Sequence, residues 1–186
     1  VTPKFVLLTK ESMWYPVPGI VDIREPQREF TNYSLKVRTD KSLTVISQGK
    51  EKIIDTGIVS FTPEYPLPQI SLTIGRYVKH SIHVDDLEYS IYLHENNNRV
   101  SKYFQDIDTD MLGEVIKSMR NKTTFDLNRD YPFRRFVTVE APLQFYAYDF
   151  PTSPATASQQ PEQVFVEERL INRKFVSREL VKANAI

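Results

Sequence analysis

Glu140 is the acid in this chain best placed to do chemistry. It closes the run Phe136-Val137-Thr138-Val139-Glu140, whose residues alternate between two sides, and Pro142 stops pairing two residues later. A carboxylate at the end of such a strand is where α/β sheets often meet a ligand. The plainer reading is a core strand that ends in one solvated acid, and the base rates of buried strands and exposed acids favour it. A carboxylate pair would need Asp149, which lies beyond the proline, and the sequence leaves the distance between the two undefined.

No other constellation closes. Asp106-Ile107-Asp108-Thr109-Asp110 opens like a calcium loop, but Met111 stands where the loop needs Gly and Lys117 where it needs Glu, so these acids read as a solvated helix face. His80 and His83 lie in an extended segment, where positions three apart point to opposite faces, and no third ligand is spaced to join them. Asp85-Asp86 reads as a turn and Glu167-Glu168 as a helix start. The chain contains no His-Glu-x-x-His, Gly-x-Ser-x-Gly or glycine-rich phosphate loop. We therefore expect no catalytic residue and no metal ligand within it.

The elements that must position Glu140 fall into two groups. Phe30–Arg38 alternates with Tyr33, Leu35 and Val37 facing inward, and further strands are expected at Leu43–Ile46, Gly57–Thr62 and Ile70–Gly75. Trp14-Tyr15-Pro16 forms a rigid aromatic turn that covers a sheet edge or core end. Short strands at this spacing predict a β-sandwich over residues 1–78. From 79 to 186 the pattern becomes strand, helix, strand. Leu87–Leu93 is the strand, and Asn96-Asn97-Asn98 caps a helix with the stripe Val100, Phe104, Ile107, Met111, Val115 and Met119. A loop over Asn121–Asp130 then leads to the Glu140 strand. Phe150–Pro161 reads as a Pro/Ser/Thr loop, Val164–Val166 as a short strand and Glu167–Ala183 as helix-forming. The fold class is α+β: a sandwich-like part followed by the opening layers of an α/β domain.

Composition narrows the function classes. Lys and Arg number 24 against 24 Asp and Glu, so no basic face of nucleic-acid type is implied. With 10 Tyr and 11 Phe against 5 Gly, the chain favours strands and ordered loops over long helices. There is no cysteine, which removes disulfides and thiolate chemistry from this chain and suits a bacterial envelope protein. No apolar run approaches the roughly 20 residues of a membrane helix. The chain opens on Val1 and stops at Ile186 after an apparently helical run, and so reads as a piece of something longer.

Taken in order, several motifs resemble the zinc aminopeptidases of the aminopeptidase N family, above all divergent bacterial members found in extracytoplasmic parts of ABC transporter permease proteins. Trp14-Tyr15-Pro16, Glu25-Pro26, Tyr33–Val37 and Ser47-Gln48-Gly49-Lys50 resemble the series in that family's N-terminal sandwich, and Pro66–Leu72 the segment leaving it. Leu87–Leu93, the helix after it, and Tyr131-Pro132-Phe133 with Arg135–Pro142 are similar in order to the start of the family's catalytic domain. The family then continues into a Gly-x-Met-Glu-Asn strand, whose Glu holds the substrate amine, and a zinc-binding His-Glu-x-x-His helix. This chain has neither motif.

The resemblance implies a non-catalytic portion of a larger periplasmic protein, with a scaffolding or peptide-binding role. Zinc would belong to the missing half, and no cofactor to this chain. Its partners would be the rest of the parent, membrane segments included, and a peptide. Glu140 and Glu162 are the acids to watch, Glu162 as a stand-in for the amine-binding Glu. Phe145, Tyr146 and Tyr148 would border a cleft. The alternative, from another class, is a self-contained binding module in which Trp14, Tyr15, Phe145, Tyr146 and Tyr148 form an aromatic platform for a glycan or polymer.

Overall fold

The computed structural model describes residues 5–9, 12–16, 30–95, 108–141, 145–146, 154–155 and 157–167. The chain is α+β, with most of its regular structure in strands. It divides into two compact units. One is Val1–Tyr77 with Gln160–Glu162, and the other is Val78–Gln159 with Gln163–Ile186.

The first unit is built from β1 (Phe5–Leu8), β2 (Leu35–Arg38), β3 (Thr44–Ser47), β4 (Lys50–Asp55), β5 (Ile58–Thr62) and β6 (Leu72–Gly75). They form two antiparallel three-stranded sheets, β1-β6-β3 and β2-β5-β4. Period two turns alternate residues of each sheet inward. Val37 and Phe61 come from one sheet and Val45 and Leu72 from the other, and together they make one core. Leu8, Leu35, Val59, Ile74 and Trp14 pack against it, so the aromatic-proline turn does cover the core. Burying a side chain such as Phe61 contributes about 2–3 kcal/mol.

Two boundaries in this unit depart from the sequence expectation. The Phe30–Arg38 run is regular only over β2, because upstream of it Thr31 makes a lone bridge to Leu67. β4 is a strand the alternation pattern does not reveal. All six of its residues are exposed, and a register shift falls between Ile53 and Asp55. Charges and a bulge are the usual devices that protect an edge strand, and here they also erase its apolar signature.

In the second unit β7 (Tyr77–Val84) and β8 (Leu87–His94) are joined by the turn Asp85-Asp86, where Asp85 adopts φ +54°. Asp tolerates that left-handed conformation better than most residues. The helix α1 (Thr109–Leu127) connects β8 to β9 (Arg135–Ala141), which runs parallel to β8 with Tyr92 opposite Val139. Parallel neighbours need such a crossover. The pair β10 (Phe145–Tyr146) and β11 (Pro154–Ala155) follows, then β12 (Ala157–Gln160) and β13 (Gln163–Glu167). β13 lies parallel to β9 on its other side, giving the sheet order β12-β13-β9-β8-β7. Two strands therefore occupy part of the expected Pro/Ser/Thr loop, and Glu167 closes a strand rather than opening a helix.

The helix differs most from expectation. It begins at Thr109, where Asp108 caps it by accepting from the N–H groups of Asp110 and Met111 at 3.0 and 3.1 Å. It runs on through residues expected as loop and ends at Asn128 in the left-handed conformation. Asp108 and Asp110 thus serve the first turn and are not part of a mid-helix acidic face. A stripe phased on Val100, Phe104 and Ile107 misplaces Met111 and Val115, which are exposed, while Leu112, Ile116 and Met119 are half-buried. Asn96–Ile107 lie outside the described residues.

Candidate functional site

β9 is the middle strand of its sheet, and its side chains meet neighbours on both flanks. The turn before it is set by Tyr131, whose ring lies 5.4 Å from Phe133 and 6.0 Å from Phe136, and whose hydroxyl donates to the Arg135 carbonyl at 3.1 Å. Val137, Val139 and Ala141 are buried, and so are Thr138 and Glu140 on the other side. The strand is covered on both faces.

Glu140 is 0% exposed, so the reading of a solvated acid does not hold. Val166 stands opposite it on β13. The backbone N–H of His94, the last residue of β8, donates to Glu140 Oε2 at 2.7 Å. A carboxylate in such surroundings requires partners of this kind, since burial without them costs several kcal/mol. The bond ties the end of β8 to the end of β9. In this conformation Glu140 has no surface with which to meet a substrate.

Glu162 occupies the turn between β12 and β13 at φ +61° and is 5% exposed. Its Oε2 accepts the Gly49 N–H at 2.8 Å, within the sandwich unit. Gly49 is itself at φ +88°, and a Cβ there would overlap the backbone of Pro63 and Thr62, so only glycine fits. Around it lies a buried polar set. Ser47 Oγ donates to the Ser71 carbonyl at 2.7 Å, and Gln48 exchanges two bonds with Ser71, each 2.8 Å, through its side-chain amide. The Ser-x-Gly turn signals this set in the sequence. Nothing local marks Ser71 or the distant Glu162 as its partners.

A second polar cluster fixes α1 to the β7–β8 turn. Lys117 Nζ lies 3.2 Å from Asp85, and Arg120 lies 3.4 Å from Asp85 and 3.5 Å from Asp86. Burial pushes the Tyr89 phenol up; Arg120 opposes that, and the two aspartates add to it. On β7 and β8, Lys79 and Glu88 pair at 2.6 Å. Burial works to lower Lys79, but the bond and charge of Glu88, with Tyr92, leave it raised. Burial likewise works to raise Glu88, and the Lys79 bond and charge with the Ser90 bond leave it lowered.

Phe145 and Tyr146 form β10, Tyr148 and Asp149 lie outside the described residues, and Trp14 and Tyr15 belong to the sandwich unit. Tyr15 stacks edge-on with Trp14 at 5.0 Å and with Tyr33 at 5.7 Å, and its hydroxyl accepts the Ile70 N–H at 3.3 Å. These two rings are half-buried and engaged in packing. His80 is half-buried and His83 exposed, and among the described residues no three His, Asp or Glu side chains are placed to hold a metal ion. Among those residues, too, no helix is long and apolar enough to cross a membrane. No protein-family model matches the chain, and no curated protein matches it in sequence.

Proposed function

We propose that this chain is a non-catalytic, extracytoplasmic part of a larger aminopeptidase N-like protein attached to an ABC transporter permease. Its work is scaffolding: it holds sheet edges in place for the remainder of that protein or for an extended peptide that pairs with them. One observation carries the reading. Glu140 and Glu162, the acids named as candidate binding residues, are both buried and both engaged by main-chain N–H groups that hold strand ends and turns. The order of the elements adds support, since a sandwich followed by strand, helix and strand is what the resemblance implies. On this reading zinc and the amine-binding Glu belong to the parent's other half.

The test is hydrolysis of aminoacyl anilides by the isolated chain with added Zn²⁺. Background rates are expected. Chelator-sensitive release that scales with chain concentration and survives repurification would overturn the proposal.

A further inference from the structure

Helix α1 has a second apolar stripe that nothing among the described residues of its own unit covers. Met111, Val115 and Phe125 are 65%, 42% and 84% exposed. Met111, Ser118 and Phe125 recur every seventh residue and so fall on one line of the helix, with Val115 and Lys122 beside it. That line is opposite Leu112, Ile116 and Arg120, which are half-buried. A surface helix that needs one apolar side only to meet its sheet does not need this one.

We propose that the outer face of α1 is a self-association surface, on which a second copy of this chain lays its own α1 antiparallel across a two-fold axis beside Ser118. The warrant is a palindrome of chemistry about that residue. Met111 stands seven positions before Ser118 and Phe125 seven after, while Glu114 stands four before and Lys122 four after. Antiparallel pairing therefore sets Met111 of each copy against Phe125 of the other, and Glu114 against Lys122, twice over. A two-fold contact must be self-complementary in this way. A parallel pair would instead oppose Glu114 to Glu114 and Lys122 to Lys122.

The local structure suits the arrangement. Glu114 and Lys122 are exposed and make no ion pair among the described residues, whereas the cations on the other side of the helix, Lys117 and Arg120, are taken by Asp85 and Asp86. Ser118 is small enough to let two helices approach closely at the crossing. Beside Phe125 lies an open depression of about 610 Å³, lined by Asn121, Thr124, Phe125, Asn128, Arg129 and Asp130. Met111 of the second copy would enter there, and its flexible thioether suits both an irregular gap and an aromatic edge. One helix pair buries less than the roughly 1,200 Å² of a standard interface, so the association is weak and concentration-dependent.

Sedimentation equilibrium of the full chain, from about 10 μM to about 1 mM, tests this. The average mass is expected to rise from 21.7 kDa towards twice that value. Phe125→Asp and Glu114→Lys should each weaken association about tenfold or more, and the double charge swap Glu114→Lys with Lys122→Glu should restore it. All three positions are exposed, and an unchanged far-UV circular dichroism spectrum shows that each variant folds. A wild-type chain that stays at 21.7 kDa throughout would overturn the proposal and leave the stripe to a different partner. So would self-association indifferent to Phe125→Asp, or a double swap no tighter than the single one.

Discussion

Glu162 offers a direct test of whether the buried carboxylate stabilises the sandwich unit. Replacing it with Gly has two opposing effects. The residue sits at φ +61°, where a side chain costs about 1–2 kcal/mol that glycine does not, so the change relieves strain. It also removes a charge-assisted bond worth about 1.5–3 kcal/mol and strips the buried Gly49 N–H of its 2.8 Å acceptor. Loss outweighs relief, and Glu162→Gly should destabilise the unit by about 0.5–2 kcal/mol. Glu162→Gln keeps an acceptor but not the charge and should fall between wild type and Gly. Trp14 is the chain's one tryptophan and packs against the sandwich core, so its fluorescence during urea unfolding reads this unit selectively. A Glu162→Gly chain at least as stable as wild type by that signal would refute the reasoning, because relief of backbone strain would then outweigh the lost hydrogen bond.

The second unit yields four further expectations. Glu140→Ala should destabilise it by about 2–4 kcal/mol and speed hydrogen exchange at the His94 amide more than at Tyr92, whereas equal exchange at both would deny the bond its role. Gly113→Ala should stabilise α1 by about 0.5–1 kcal/mol in thermal unfolding, since the added Cβ would meet Val84 at an ordinary 3.8 Å. Asp108→Ala should cost about 1 kcal/mol by the same assay through loss of the N-cap. A double-mutant cycle on Lys79 and Glu88 should give less than about 1 kcal/mol at neutral pH, because the pair is partly solvated. The Glu88 contribution, from a lowered folded pKa, is present above the unfolded value of 4.5 and is lost as pH falls through the folded one; that of Lys79, raised above 10.5, is lost as pH rises through its folded value.

What the sequence reveals here depends on whether burial leaves a periodic mark. The Val37 strand carries a clean alternation because one side of it packs into the sandwich and the other meets water. Lys50–Asp55 carries none because neither side is buried, and Ala157–Gln160 has no side chain large or apolar enough to advertise a strand. The helix is legible as a helix, but its phase is not. Apolar residues before Asp108 fit the same period, and only the cap decides which of them belong to it. Glu140 is legible as a strand-end acid. Its burial is not, because it depends on the layers that cover β9 and on an N–H at the end of another strand.

The two buried acids share a feature that bears on where function can lie. Each accepts from a backbone N–H at a place where a sheet ladder runs out: His94 where β8 ends, and Gly49 where β3 turns into β4. Ladder bonds cannot serve such groups, and an unpaired N–H left inside would cost about 1–3 kcal/mol. A carboxylate reaching in from a distant part of the chain satisfies them and fixes the reversal at the same time. Glu162 does so from 113 residues away and Glu140 from 46. Such bonds commit the carboxylates to holding the chain's own turns. A group committed in this way is poorly placed to serve a substrate as well, whereas among the described residues the β4 edge and the outer side of α1 are exposed.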